Sequence, residues 1–351
     1  MTKVLVVATS RKTRGGITSV VKAHETGEQW KKFHCRWIET HRDGPKWRKI
    51  LYFLKAYLEF FLLVPFCDIV HIHVASYSSL KRKMYFLKLA NLWHKKTIAH
   101  FHPHKPEVIF EKTTQLEYVY FFTHVNKIIV LSPQWQRWLE EALNITKNVQ
   151  YIFNPCPIVN RTVSDYSSKY ILFAGTLCKR KGFDTLLQAF ARIAHKYPDW
   201  KVILAGNPKT ENDAELMSTL PKSLDIENQI VFPGWVRGTD KDKLFNSASI
   251  FCLASRAEGF PMAVLDAWAY GVPVVCTPAG GLPDIVRDGE NALMFEYGDV
   301  ERLSEQLDRM MSDENLRRRI SEASLELAHT TFNVEDINKQ IANLYNSLIN
   351  E

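Results

Sequence analysis

Ser255-Arg-Ala-Glu258-Gly-Phe-Pro-Met-Ala-Val-Leu-Asp266-Ala-Trp268 follows directly on the β-branched run Ser249–Leu253. A short buried strand that breaks at a Gly-Phe-Pro bend and resumes as a helix is half of a β–α crossover, the building unit of parallel sheets covered on both faces. Pro261 suits the first helical turn, where its missing amide is harmless. Gly259 and Phe260 then form a tight bend that aims backbone N–H groups at a ligand, with Met262 opening the helix. Glu258 stands at the mouth and Asp266 further along, two carboxylates eight positions apart and roughly on one face. Carboxylates suit the vicinal diols of a sugar or ribose because each accepts two hydrogen bonds. The same pair at this spacing is also what an ordinary protein surface carries.

Working outward, strand-like runs recur between longer amphipathic stretches. They are Val4–Ala8, Ile69–Val74, Thr97–His102 and Lys127–Leu131, then Tyr170–Ala174, Lys201–Ala205, Gln229–Phe232, Ser249–Leu253 and Pro273–Cys276. The alternation runs twice, before and after about residue 160, and predicts an α/β protein of two doubly wound, Rossmann-like parallel-sheet domains. The expected domains are 1–160 and 161–332, followed by a C-terminal helix in 333–351. The aperiodic stretch from Asn154 through Asn160 to Ser168 reads as the linker. In open parallel sheets, ligands bind beyond the carboxyl ends of strands, where helix N-termini attract anions. Two further loops therefore matter. Gly175-Thr176-Leu-Cys-Lys179-Arg180-Lys181-Gly182 places three cations at a strand-to-helix turn ahead of a predicted helix Thr185–His195, suited to neutralising a diphosphate. Thr277-Pro-Ala-Gly280-Gly281-Leu-Pro283 repeats the arrangement, with Pro283 early in the next helix.

With 351 residues the chain has room for two cores. The six cysteines are scattered without the spacing of zinc or redox sites and read as reduced core thiols. Val4–Ala8 is too short for a signal segment, and Phe60–Cys67 is far short of the ~20 residues of a membrane span, so a cytoplasmic protein is expected. The net charge of +7 is uneven: residues 1–160 carry 24 Lys+Arg against 11 Asp+Glu, and residues 161–351 carry 21 against 27. The basic half points to phosphates or an anionic membrane. No nucleic acid partner is expected, because no recognition-helix, zinc-finger or RNA-binding signature accompanies the charge.

Together, Gly206, Phe232-Pro-Gly234-Trp-Val236, Glu258-Gly-Phe-Pro, Gly271-Val-Pro-Val-Val, Gly280-Gly-Leu-Pro and Asp288-Gly-Glu-Asn make the second half resemble family 4 of the retaining glycosyltransferases, which have the GT-B fold. The first half is similar more loosely, through Gly15-Gly16, Asp68-Ile-Val-His-Ile-His73, His100-Phe-His102 and Asn154-Pro. The resemblance implies two domains facing a cleft, the first binding acceptor and the second a UDP- or GDP-sugar donor, with no cofactor and no metal. It implies that Glu258 contacts the donor sugar, that Asp266 stands where a glutamate usually binds the ribose, and that Lys181 holds the diphosphate. Thr176 occupies a position that is commonly arginine, leaving Lys179 or Arg180 to complete the clamp. Gly15 and Gly16 form the turn that approaches the donor phosphates, and His102 matches the histidine near the transferred sugar. His71, His73, His100 and His104 read as structural or acceptor-lining. His100, His102 and His104 also alternate as metal ligands would, but Pro103 interrupts their strand. Rival functions are a GT-B nucleotide-sugar epimerase and a non-catalytic subunit of a glycan-assembly complex.

Trp47, Ile50, Leu51, Leu54, Leu58 and Phe61 recur at helical spacing with Lys46, Arg48, Lys49 and Lys55 off the stripe, and Lys81–Lys96 mixes basic and apolar residues likewise. Such helices either lie on an anionic bilayer or cover the core of their own sheet. The first alternative implies peripheral membrane contact and a lipid-linked or cell-surface glycan acceptor.

Overall fold

The computed structural model describes residues 2–159, 161 and 168–351. The first half runs β1 (Val4–Ala8), α1 (Gly16–Glu25), α2 (Glu28–Lys32), β2 (Arg36–Glu39), α3 (Lys46–Leu63), β3 (Ile69–Val74), α4 (Tyr77–Leu92), β4 (Lys96–Phe101), α5 (Glu107–Phe110), α6 (Lys112–Thr123), β5 (Lys127–Val130), α7 (Pro133–Leu143) and β6 (Val149–Tyr151). The second runs β7 (Tyr170–Ala174), α8 (Phe183–Ala191), β8 (Lys201–Ala205), α9 (Glu211–Ser223), β9 (Ile230–Val231), α10 (Thr239–Ser247), β10 (Ile250–Leu253), α11 (Met262–Tyr270), β11 (Val274–Cys276), β12 (Leu293–Met294), α12 (Val300–Ser312) and α13 (Glu314–His329), before α14 (Val334–Asn350). Two compact units result, Met1–Pro155 with Val334–Glu351, and Cys156–Asn333. The predicted linker 154–168 lies partly outside the described residues, Asn160 included.

Each unit is built on a parallel sheet, six-stranded among the described residues, which is the α/β class expected. In the first the order is β2-β1-β3-β4-β5-β6, and β1 and β3 are buried along their whole length, as strands covered on both faces must be. In the second the order is β12-β11-β10-β7-β8-β9. There the chain winds outward from β7 through β8 and β9, then crosses back to place β10 on the other side of β7. A reversal of this kind opens a crevice beyond the carboxyl ends of the two central strands, here β7 and β10. The loops after those strands are the two that carry Lys181 and Glu258.

The last helix belongs to the first unit. Its stripe of Ile337, Ile341, Leu344 and Leu348 is buried with Val4, Val6, Ile69, Ile98 and Ile129 of the sheet. Asn338, beside the stripe, is buried too: its Oδ1 accepts from Gln29 Nε2 at 2.8 Å and pairs with His24 Nδ1 at 2.8 Å. Replacing Asn338 with Ala leaves both groups buried without that partner, so a loss of about 2–3 kcal/mol is expected from urea denaturation. Unchanged stability would mean that this contact does not anchor the helix.

α3 corrects one alternative drawn from the sequence. It buries Ala56 and Phe60, while Trp47, Ile50, Leu51, Leu54, Leu58 and Phe61 are each half exposed or more. The stripe faces solvent and does not cover the core. Among the described residues no helix is long and apolar enough to cross a membrane.

Candidate functional site

After β7 the chain bends at Gly175, and Leu177 exchanges backbone hydrogen bonds with Asn207 and Lys209 in the loop after β8. Thr176 is half-buried between them. Lys179–Lys181 form a single 3-10 turn, and α8 begins at Phe183, two residues earlier than expected. The three cations therefore sit immediately ahead of a helix N-terminus, which adds its own partial positive charge. They do not point alike. Lys179 is exposed, and with Arg180, Cys178, Lys209 and Thr210 it lines a cavity of about 560 Å³. Lys181 turns the other way and its Nζ lies 2.6 Å from Glu258 Oε1.

Glu258 is buried, in the loop after β10. Its Oε1 also accepts from Ser255 Oγ at 2.8 Å and stands 3.7 Å from Arg180 Nη1. Arg180 Nη1 donates to Ala257 O at 2.5 Å, and Arg256 N donates to Arg180 O at 2.8 Å, which ties the two switch-point loops together. A buried carboxylate is tolerable only with such partners. Lys181 and Glu258, expected to have separate duties, are brought into one ion pair.

The third loop closes against the second. Gly281 N donates to Gly259 O at 2.9 Å, and Gly280 has φ of +65°. A Cβ at Gly280 would meet the carbonyl oxygens of Glu258 and Gly259 at 2.3 and 2.4 Å, so only glycine allows this approach. Gly281 leads into a 3-10 turn, Leu282–Asp284, in place of the longer helix expected after it. Phe260 and Pro261 are buried: the Phe260 ring packs on Phe332, with centroids 5.3 Å apart, which holds the bend down from below. Met262 is half-buried at the start of α11.

Because α11 starts at Met262, Glu258 lies in the loop, and the helix-face relation expected between Glu258 and Asp266 does not arise. Asp266 sits one turn into α11, with its carboxylate 2.7 Å from Lys241 Nζ of α10. Burial pushes this carboxyl above its ordinary value against the pull of Lys241. Sequence reasoning missed Lys241, which lies in the charged run Asp240-Lys-Asp-Lys and looks like a solvated helix face.

In the first unit, Gly15 caps α1 with φ of +142°, and a Cβ added there would meet no atom within 4 Å, so backbone conformation and not crowding calls for glycine. Gly16 is the first residue of α1. His71 and His73 on β3, with His100 and His102 at the end of β4, form a buried stack whose neighbouring ring centroids are 4.1–4.8 Å apart. His71 shares hydrogen bonds with Tyr345 of α14 at 2.7 Å and with His100 at 3.3 Å, and His73 Nδ1 with His102 Nε2 at 2.9 Å. Burial lowers the pKa of all four, that of His102 to about 3, and holds the stack neutral. His71, His73 and His100 present ligand atoms within 4.8 Å of one another. Four of their six ring nitrogens are already engaged: both nitrogens of His71, Nδ1 of His73 and Nδ1 of His100 are paired with Tyr345, with one another or with His102.

Both units have counterparts among known proteins. Anabaena HepE, solved in complex with UDP-glucose, superposes with a TM-score of 0.81 over 99% of this chain and 100% of its own, at 19% identity, which establishes the two-domain GT-B fold. An uncharacterized glycosyltransferase of Haemophilus influenzae is 32% identical over 219 residues, 61% of this chain and 60% of that protein. The lipopolysaccharide core biosynthesis glycosyltransferase LpsE of Rhizobium meliloti is 30% identical over 167 residues, 48% of this chain and 46% of its own length. The matched regions thus span about half of these relatives. Residues 158–326, the segment that holds Lys181, Glu258 and Asp266, match the model of the glycosyl transferases group 1, so just under half of the chain is similar to this family.

Proposed function

We propose that the chain is a retaining, metal-independent hexosyltransferase of family 4 that moves a sugar from a UDP- or GDP-sugar to a lipid-linked or growing cell-surface glycan in bacterial polysaccharide assembly. The observation that carries the reading is the Lys181–Glu258 pair at the switch point of β7 and β10, where a phosphate-seeking cation and a hydroxyl-seeking carboxylate meet in one crevice. Departure of a nucleoside diphosphate from the anomeric carbon builds negative charge on the leaving oxygen. Lys181 and the α8 N-terminus stabilise it, and of Lys179 and Arg180 it is Arg180, 3.7 Å from Glu258, that is better supported as the second cation. Glu258 takes hydroxyls of the donor sugar, and Asp266 takes the ribose. The bond from the anomeric carbon to the leaving oxygen breaks on the face where the acceptor oxygen bonds, and the acceptor proton passes to the departing phosphate. The first unit takes the acceptor, with Gly15 and Gly16 at the start of α1 and His102 just after β4, all beyond the carboxyl ends of its strands. The LpsE and HepE likenesses favour a glycan product and a uridine nucleotide, and six free thiols suit a cytoplasmic enzyme working at a membrane face.

The test is transfer from UDP- and GDP-hexoses to lipid-linked acceptors, with the product anomer read by NMR. Retained configuration is expected. An inverted product, or isomerised donor without transfer, would contradict the reading. A subsidiary expectation concerns Asp266: Asp266→Asn removes a charged hydrogen-bond acceptor worth about 1.5–3 kcal/mol and weakens nucleoside diphosphate binding at least about tenfold by calorimetry. Undiminished affinity would remove Asp266 from the ribose site.

A further inference from the structure

α3 presents an unusual surface. On one side it exposes Trp47, Ile50, Leu51, Leu54, Leu58, Phe61 and Leu62, each between 50% and 61% accessible. Phe66 just beyond its end is 71% accessible. Phe53 and Tyr57 of α3 meet Tyr85 of α4 edge to face at 5.7 and 6.5 Å, so the apolar strip continues onto the exposed ring of Tyr85. Single exposed apolar side chains are ordinary, but a contiguous strip along 18 residues of helix marks an interaction surface.

The charge around the strip identifies its occupant. Residues 41–96, which contain α3 and α4, hold eleven Lys+Arg against three Asp+Glu, and every one of these cations except the buried Lys83 is partly or fully exposed. Lys46, Arg48, Lys49 and Lys55 are exposed on α3 itself. The acidic residue of that helix, Glu59, is engaged by Arg36 at 2.8 Å. A second copy of this chain would bring its own cations against these, at a cost in repulsion. An anionic lipid surface accepts the apolar strip between headgroups and the cations at the phosphate level in one pose, with Trp47 and Tyr85 at the interface that amphipathic rings favour.

We infer that the outer face of α3, extended by Tyr85 of α4, docks flat onto an anionic bilayer. This deepens the membrane contact proposed above and does not depend on the transfer reaction. It places the first unit, which is assigned the acceptor, against the surface that would hold a lipid-linked one.

Flotation of the full chain with vesicles tests it. Wild type binds vesicles containing phosphatidylglycerol and binds pure phosphatidylcholine at least about tenfold more weakly, since each cation at an anionic surface contributes about fivefold. Leu54→Glu with Leu58→Glu lowers phosphatidylglycerol binding at least about tenfold at unchanged melting temperature, because both positions are exposed. Lys46→Glu, Lys49→Glu and Lys55→Glu together do the same and remove the salt dependence. The inference is overturned if wild type ignores the vesicles, if the variants bind as wild type does, or if light scattering shows a dimer that the Leu54→Glu, Leu58→Glu variant converts to monomer. Vesicle binding without sugar transfer would leave the docking surface standing and sink the transfer reading alone.

Discussion

Lys181→Met and Glu258→Gln each lower sugar transfer by about 10²–10³-fold, the usual effect of removing one preorganised group from a site of developing charge, and only the double variant regains the stability of the wild type. The structure supplies the reason for the second half of that expectation. Glu258 is buried, and Lys181 is its nearest cation at 2.6 Å, with Arg180 more distant at 3.7 Å. Removing one member of a buried pair strands the other, at about 3–5 kcal/mol. Glu258→Gln strands Lys181 less severely, because the lysine side chain is 15% accessible against 9% for the carboxylate. Combining the two leaves a neutral pair of similar shape, so melting temperature recovers while transfer does not. Recovery of transfer together with stability would mean that the pair is structural and that the chemistry lies elsewhere. The measurements are initial rates of transfer and calorimetric melting on the three variants.

The second large effect is on acid stability. Chemical denaturation between pH 7 and pH 5 is expected to show stability falling steeply below pH 6.5. The unfolded chain protonates its histidines near pH 6.5. In the folded chain burial lowers His24 to about 4 and His102 to about 3, and pushes His71, His73 and His100 well down. The native state therefore stays neutral while the unfolded state takes up protons, which favours unfolding as pH falls. Stability from this source is whole above pH 6.5 and lost progressively toward pH 4. Each of these histidines contributes about 1.4 kcal/mol per pH unit of that window. Ordinary carboxyl groups titrate near pH 4, so apart from Asp266, which burial raises, the upper part of the window belongs to the histidines. His73→Gln should flatten the slope by about one proton. A curve without slope between pH 6.5 and 5 would mean that the stack is solvated in solution.

Much of this architecture is written locally. The runs Val4–Ala8, Ile69–Val74, Tyr170–Ala174 and Lys201–Ala205 coincide with strands because buried parallel strands are continuous β-branched segments. One edge strand, Ile230–Val231, was legible within Gln229–Phe232, but the other edges were not: Arg36–Glu39, Val149–Tyr151 and Leu293–Met294 are short, and the first two are mixed with polar residues, since an edge needs no second apolar neighbour. The candidate site was legible as three glycine- and proline-marked loops, but not as a constellation. Lys181 and Glu258 are 77 positions apart, and they meet because β10 pairs with β7, an adjacency that no local pattern encodes. Lys241 met Asp266 for the same kind of reason, through the packing of α10 beside α11. The histidine alternation on β3 and β4 was visible, while the register that sets His73 against His100 belongs to the sheet. For α3, periodicity revealed an apolar stripe but could not say which way it faced.

Binding of a nucleotide sugar by the second unit through Lys181 is tested most directly by the melting temperature of wild type and Lys181→Met with uridine and guanosine diphosphates and their sugars. A ligand that binds only the native state raises that temperature. A rise with one nucleotide in the wild type, lost in folded Lys181→Met, is the expected result. No rise with any nucleotide, or an equal rise in both proteins, would contradict it.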